Sequence, residues 1–214
     1  MNNNITELVF ILDKSGSMAG LEKDTVGGFN AMIERQKQLD GKVFVSTVLF
    51  SNTSEVIHDR LDIREVKPLE EKDYPVGGCT ALMDALGDAI HHIRNIHKYG
   101  RKEDVPEHTI FVITTDGMEN ASRRFSADRV RRMISEEQER SGWEFLFLAA
   151  NIDAVETAAR YGIREDRASN YRASAKGTNE MYDCVAEAVV TLRSNRKLGR
   201  KWNERLDPDK TEST

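Results

Sequence analysis

The sequence predicts a three-layer, doubly wound α/β domain in which helices cover both faces of a mostly parallel sheet. Three observations lead to this fold class. Continuously apolar runs of strand length recur along the 214 residues, which is typical of strands buried on both faces. Helical patterns separate these runs, and strands that alternate with helices form βαβ units and a parallel sheet. No internal repeat and no Pro- or Gly-rich linker divides the chain, which at about 100–200 residues per domain is one domain.

Four runs are predicted as central strands, and a fifth segment is predicted as an edge strand. The central strands cover residues 8–12, 43–50, 109–115 and 144–150. Residues 54–63 alternate only weakly between apolar and polar side chains, so we expect this segment at an edge of the sheet.

Five segments carry the periodicity of helices that pack one apolar face on a sheet. These segments are residues 21–39, 80–98, 126–139, 153–161 and a final helix that includes 181–192. Residues after about 199 lack periodicity. We therefore expect a domain over residues 5–198, with an N-terminal tail at 1–4 and a C-terminal tail at 199–214.

Charge and cysteine content narrow the classes of function. The chain has 31 basic and 36 acidic side chains, and this mild acidity disfavours nucleic acid as a partner. No apolar run approaches the roughly 20 residues that span a bilayer, and the N-terminus lacks the pattern of a signal peptide, so no membrane partner is expected. Cys79 and Cys184 form no metal-type pair, which favours free thiols and a cytoplasmic location, with one long-range disulfide as the alternative.

Two of the predicted strands run directly into an aspartate. Asp13 follows the first strand, and Asp116 follows the strand at 109–115. In a doubly wound sheet, ligands bind outside the carboxyl ends of the strands, where the strand order reverses. If these strands are neighbours, the two carboxylates share one crevice, and they repel each other unless a proton or a cation lies between them.

Three hydroxyl side chains near these aspartates favour a cation. Ser15 and Ser17 follow Asp13 with one glycine between them, and Thr80 follows a Gly-Gly-Cys segment at the start of a predicted helix. Carboxylate, hydroxyl and water oxygens are hard ligands, and no Cys or His pattern accompanies them, so Mg²⁺ or Mn²⁺ fits better than zinc. The candidate metal-site residues are Asp13, Ser15, Ser17, Thr80 and Asp116.

This pattern resembles the metal-ion-dependent adhesion site (MIDAS) of von Willebrand factor type A (vWA) domains. Asp13-x-Ser15-x-Ser17, then Thr80, then Asp116 match all five positions of the family motif in order, and the resemblance covers about residues 5–195. It implies a sheet of about six strands with one short antiparallel edge strand, here 54–63. The chain looks like the short, stand-alone cytosolic members found in bacteria and phages.

The resemblance also implies how the ion is held and used. Ser15, Ser17 and Thr80 would bind it directly or through water, while Asp13 and Asp116 would bond to those waters and hydroxyls. One coordination position would stay open for an Asp or Glu of a partner protein. The implied function is a Mg²⁺-dependent protein-interaction module, a scaffold or adaptor and not an enzyme.

Arg123 and Arg124 are candidate partner-binding residues, because cations near the Asp116 loop would steer an acidic ligand toward the ion.

Two alternative functions stay open. One is a metal-dependent, phosphatase-like enzyme with Asp13 as nucleophile, which is disfavoured because position 15 is Ser and not a second carboxylate. The other is a module whose ion is purely structural. The sequence leaves the oligomeric state open.

Overall fold

The computed structural model describes residues 4–206, which form one sheet with helices on both faces. The strands are β1 (Ile5–Asp13), β2 (Lys42–Phe50), β3 (Ser54–Asp62), β4 (His108–Thr115), β5 (Glu144–Ala149) and β6 (Ala168–Asn170). The helices are α1 (Glu22–Lys37), α2 (Leu82–Tyr99), α3 (Ala127–Ser141), α4 (Ala154–Arg160) and α5 (Ala175–Arg193).

The sheet has the strand order β3-β2-β1-β4-β5-β6. Every neighbouring pair is parallel except β2 and β3, which are antiparallel. The predicted fold class is therefore confirmed, including about six strands and an antiparallel strand at the edge. β3 bends at a bulge, because its register with β2 shifts on both sides of Thr47.

The position of β1 in the middle of the sheet determines where a ligand site forms. β1 pairs with β2 on one side and with β4 on the other, and all nine of its residues are buried. The chain leaves β1 toward β2 and later returns to the opposite side through β4, so the strand order reverses between β1 and β4. Leu12 pairs with Thr114 in this register, which brings Asp13 beside the end of β4 and close to Asp116.

Alternate residues of β1 supply two hydrophobic cores, one on each face of the sheet. Leu8 and Phe10 pack in a core with α1 and α5, whereas Val9 and Ile11 pack in a core with α2, α3 and α4. A continuous apolar run is therefore the pattern that a central strand of a three-layer fold requires.

α1 and α5 approach each other closely at Gly28. A Cβ atom at this position would overlap the ring of Tyr182 on α5, whereas a Cβ atom at Gly27 would meet nothing within 4 Å. Gly28 thus allows the two helices to pack in contact, and Gly27 has no such role.

β6 is absent from the sequence prediction, because its three residues are too few to show a pattern. Residues 199–206, which were expected in the C-terminal tail, pack against this edge of the sheet. Trp202 Nε1 donates to the main-chain oxygen of Asp166 at 2.9 Å, and Asn203 Nδ2 donates to that of Ala168 at 3.1 Å. Leu206 is buried in the core with α1 and α5. The remaining predicted tail residues, 1–3 and 207–214, lie outside the described residues.

Both cysteines are free thiols, with Cys79 exposed and Cys184 buried. Over residues 4–206, none of the helices has the length and apolar character needed to cross a membrane.

Candidate metal centre

The structure brings the five candidate metal-site residues together at the carboxyl edge of the sheet. Ser15 Oγ and Ser17 Oγ lie 3.1 Å apart, and Ser17 Oγ donates a short hydrogen bond to Asp116 Oδ1. A methyl group placed on Gly117 would lie 3.1 Å from Ser17 Oγ and 3.5 Å from Thr80 Oγ1. Both hydroxyls therefore line the same small space beside Asp116.

Backbone hydrogen bonds hold the loop after β1 against the loop that carries Thr80. Gly16 N donates to Gly78 O at 3.0 Å, and Gly77 N donates to Lys14 O at 2.8 Å. The Ser15 side chain makes no capping hydrogen bond to the 3₁₀ turn that follows it, so its hydroxyl is left to face the site. These bonds fix the distance between the serines and the threonine, which are more than 60 positions apart in sequence.

Asp13 is fully buried, and both of its carboxylate oxygens accept hydrogen bonds. Oδ1 accepts from Ser15 N at 2.7 Å, and Oδ2 accepts from Thr115 Oγ1 at 2.6 Å. The hydroxyl of Tyr74, also buried, donates to the main-chain oxygen of Asp13. Burial raises the pKa of Asp13, although its hydrogen bonds with Ser15 and Thr115 oppose that effect.

Asp116 is only 2% exposed, and its second carboxylate oxygen, Oδ2, is buried without a hydrogen-bond partner anywhere in the described part of the chain. Burial raises the pKa of Asp116, the hydrogen bond from Ser17 lowers it, and the nearby charge of Asp13 raises it further. Two buried carboxylates therefore lie close enough to destabilise each other's charge.

A divalent cation fits this arrangement. It would compensate both carboxylates and give Asp116 Oδ2 a partner, directly or through a bound water. The available donors are hydroxyl and carboxylate oxygens, which are the ligands that Mg²⁺ and Mn²⁺ prefer. Within residues 4–206 no three His, Cys, Asp or Glu side chains form a group that could hold a metal ion. A site here therefore depends on the hydroxyls of Ser15, Ser17 and Thr80.

The loop after Asp116 holds Thr80 in position, which the sequence did not reveal. Asn120 Oδ1 accepts from Thr80 N at 2.9 Å, while Asn120 N and Ala121 N donate to Thr80 O at 3.0 and 3.2 Å. The main chain of Thr80 is thus bonded on both sides by a single loop, so the positions of Thr80 and Asp116 are coupled.

The same loop caps the N-terminus of α2. The residue before this helix is Ala81, which has no side chain able to cap it. Instead, Glu119 Oε2 accepts from Met83 N at 2.9 Å, and Ser122 Oγ accepts from Asp84 N at 3.0 Å. The lack of a capping residue before Leu82 is the sequence signal that could have indicated a contact from elsewhere.

Asp84, in the first turn of α2, binds the far end of this loop. Its carboxylate accepts three backbone hydrogen bonds, all at 2.9 Å, from Arg123, Arg124 and Phe125. Burial by itself would raise the pKa of Asp84, but the three N–H donors outweigh it and lower the pKa. Asp84 is therefore a charged anchor for the loop that carries Asp116 and holds Thr80.

The two predicted partner-binding arginines differ in their surroundings. The Arg124 guanidinium makes a two-pronged ion pair with Asp88, at 3.0 and 2.6 Å. The side chain of Arg123 is exposed, and its guanidinium has no hydrogen bond or ion pair within the 203 residues from Asn4 to Leu206. Of the two, Arg123 is the cation that remains available to a ligand.

Comparisons with known proteins identify the fold. No protein-family model and no curated protein matches the sequence. Three similar solved structures are a von Willebrand factor type A protein from Catenulispora acidiphila, the vWF domain of the type V pili tip protein Mfa5 from Porphyromonas gingivalis, and proximal thread matrix protein 1 from the mussel byssus, with zinc in its MIDAS motif. Their TM-scores are 0.58, 0.58 and 0.57, at 14%, 11% and 15% sequence identity.

The match to the Catenulispora protein covers 86% of this chain and 42% of that protein. The match to the Mfa5 domain covers 91% of this chain and 97% of that domain. The match to the mussel protein covers 86% of this chain and 45% of that protein. The chain thus spans less than half of two of these structures and nearly all of the Mfa5 domain. At these identities the comparison defines the fold and nothing finer. The chain has the α/β fold of vWA domains.

Proposed function

We propose that this chain is a protein-interaction module that binds Mg²⁺, or Mn²⁺, through Asp13, Ser15, Ser17, Thr80 and Asp116. An Asp or Glu of a partner protein completes the coordination of the ion. The observation that carries the proposal is the unpartnered, buried Oδ2 of Asp116, which lies in a space lined by hydroxyls and next to a second buried carboxylate.

Each side chain has a distinct role in this proposal. The hydroxyls of Ser15, Ser17 and Thr80 hold the ion, directly or through water. Asp116 orients the hydroxyl of Ser17, and Asp13 holds the loop that carries Ser15 through its backbone N–H. Together the two carboxylates balance the charge of a divalent ion without exceeding it, so no surplus negative charge repels a further carboxylate. The bound ion supplies a Lewis-acidic position that accepts the partner's carboxylate.

The surroundings of Asp13 support a binding module over a phosphatase-like enzyme. A nucleophilic aspartate needs an oxygen that can reach the substrate. Both oxygens of Asp13 are already bonded, to Ser15 N and Thr115 Oγ1, and the side chain is fully buried.

The exposed free thiol of Cys79 supports a reducing, cytoplasmic location.

Metal binding is tested by thermal unfolding and calorimetric titration with Mg²⁺. At 100 times the dissociation constant, an ion that binds only the folded chain adds about 2.7 kcal/mol of stability, or roughly 5–10 °C in Tm. We expect Asp116→Asn and Ser17→Ala to lose this shift. Asp183→Asn, in α5, and Ser194→Ala, at the end of that helix, replace exposed side chains outside the site and should keep it. Equal Mg²⁺ shifts in all four variants would contradict the proposed ligands.

Partner binding is tested with a random peptide library displayed on phage, selected on the immobilised chain in Mg²⁺ and in EDTA. We expect clones that bind only in Mg²⁺, each with an Asp or Glu whose amide variant no longer binds. A Mg²⁺-dependent Tm shift without any such clone would identify the ion as purely structural. Mg²⁺-dependent hydrolysis of p-nitrophenyl phosphate that Asp13→Asn abolishes would identify an enzyme instead.

A further inference from the structure

A groove of about 610 Å³ lies directly beside the metal site. Its lining includes Asn52, Cys79, Asn120, Arg123 and Arg124. We propose that this groove binds a second acidic side chain of the partner segment whose first acidic side chain reaches the ion, and that Arg123 recognises it. This inference rests on the proposed function and specifies the chemistry of the partner.

The groove is next to the ion-binding residues because its walls are bonded to Thr80. Asn120 binds both the N–H and the carbonyl group of Thr80, and Cys79 precedes Thr80 in the chain. The third wall is the turn between β2 and β3, where Asn52 Oδ1 accepts from Cys79 N at 2.8 Å. One short peptide segment can therefore contact both the ion and the groove.

Two amide side chains in the lining present hydrogen-bond donors. A backbone N–H can only face an oxygen, so the bonds from Cys79 N and Thr80 N fix the Oδ1 atoms of Asn52 and Asn120 toward the protein. Their Nδ2 amino groups have no partner along residues 4–206, and both side chains are exposed. The acceptors of these amides are used internally, while their donors are free.

The charged groups of the lining lead to the same ligand. The Asp84 carboxylate accepts three backbone N–H groups and lies 3.6 Å from Arg124 Nε, so its charge is compensated inside the protein. Arg124 is paired with Asp88. The guanidinium of Arg123, which has no partner among the described residues, is left as the free cation of the groove. Free donors and a free cation select a ligand that carries acceptors and negative charge, namely an Asp or Glu side chain.

The test uses the peptides that the wild-type chain selects in Mg²⁺ from the displayed library. Each is remade with its acidic residues changed singly to amides, and affinities are measured for the wild type, Arg123→Gln and Arg132→Gln. Arg132 is a matched control, since it is an exposed arginine on α3 whose side chain has no ion pair in the described structure. Arg123→Gln should fold normally because its backbone N–H, which binds Asp84, is retained.

We expect the Mg²⁺-dependent peptides to carry two acidic residues. Changing one of them should abolish binding, and changing the other should weaken binding to the wild type about tenfold, or roughly 1.4 kcal/mol. Arg123→Gln should weaken the parent peptide equally and remove the effect of that second change, whereas Arg132→Gln should do neither. Mg²⁺-dependent peptides with one acidic residue, or an unaltered affinity in Arg123→Gln, would overturn the groove assignment alone. The absence of any Mg²⁺-dependent peptide would overturn the proposed function together with it.

Discussion

Replacing Asp84 should destabilise the domain far more than replacing its neighbour one turn along α2, Asp88. The Asp84 carboxylate is the acceptor for three backbone N–H groups of the loop after Asp116, and its side chain is only 12% exposed. Asp88 pairs with the exposed side chain of Arg124 and is itself 41% exposed. The two aspartates belong to the same helix and differ mainly in what they bind.

The size of the effect follows from the number and kind of bonds. Hydrogen bonds to a charged group contribute about 1.5–3 kcal/mol each to stability. When several of them share one carboxylate, their total contribution is smaller than the sum of the individual values. We therefore expect Asp84→Ala to lower the free energy of unfolding by about 3 kcal/mol. Asp88→Ala removes a surface ion pair, which contributes about 0–1 kcal/mol.

Asp84→Asn should have an intermediate effect because an amide keeps only one acceptor oxygen. Oδ1 accepts from Arg124 N and Phe125 N, while Oδ2 accepts only from Arg123 N. With the amide oxygen in the place of Oδ1, one of the three bonds is lost, and we expect a loss of about 1–1.5 kcal/mol.

These values are measured by urea denaturation and by Tm, which for a domain of 150–250 residues falls about 2–4 °C per kcal/mol. The pKa of Asp84 is lowered by folding, so its stabilising contribution is complete above the ordinary value of 3.8 and is lost as the pH falls through the folded pKa. The difference between the wild type and Asp84→Ala should thus be constant near neutral pH and shrink in acid. A loss below about 0.5 kcal/mol in Asp84→Ala, or equal losses in Asp84→Asn and Asp84→Ala, would refute the reasoning.

Three further predictions concern the helix contact, a buried histidine and the support of the metal site. Gly28→Ala should destabilise the domain by about 1–3 kcal/mol, because its Cβ atom would overlap with α5. Gly27→Ala, at a position with open space, should stabilise the domain by up to about 1 kcal/mol. Similar effects of the two variants in urea denaturation would contradict the assigned contact. Burial lowers the pKa of His58 below 6.5, so near and below this pH the unfolded chain binds a proton more readily than the folded chain, and stability falls as the pH drops. His58→Gln should reduce this fall in stability below about pH 6.5, and an unchanged pH dependence would exclude the contribution of His58. If the chain binds Mg²⁺, Thr115→Val should weaken the Mg²⁺ affinity measured by calorimetry severalfold, because it removes the hydrogen bond from Thr115 Oγ1 to Asp13 Oδ2. An affinity equal to that of the wild type would show that this hydrogen bond does not orient the Asp13 carboxylate.

The sequence was sufficient to predict the parts of the fold that depend on long, regular patterns. β1 is a run of apolar residues that ends in Asp13, and β4 is another that leads to Asp116, so the two carboxylates could be placed at one edge of the sheet before the strand order was known. Ser15 and Ser17 could be added because they directly follow β1, and Thr80 because it completes the family motif just before α2.

The supports of the site could not be predicted, because they depend on the path of a loop in three dimensions. An acidic residue in the first turn of a helix, such as Asp84, usually stabilises the helix dipole, and nothing local shows that it binds residues about 40 positions away. Arg123 and Arg124 are equivalent in sequence, and only the position of Asp88 on α2 distinguishes them. β6 pairs with β5 over only three residues. A strand this short forms because of its pairing with the neighbouring strand, so it leaves no pattern in the sequence.

The packing of residues 199–206 beside β6 also bears on how the domain avoids self-association. An open strand edge offers unpaired carbonyl and N–H groups on which another chain can add a strand. The side chains of Trp202 and Asn203 occupy the main-chain oxygens of Asp166 and Ala168, and Leu206 closes the core beneath. In a chain that ended at residue 198, this part of the sheet edge would be exposed. Residues 199–206 therefore protect the edge from pairing with another chain, in addition to covering the core.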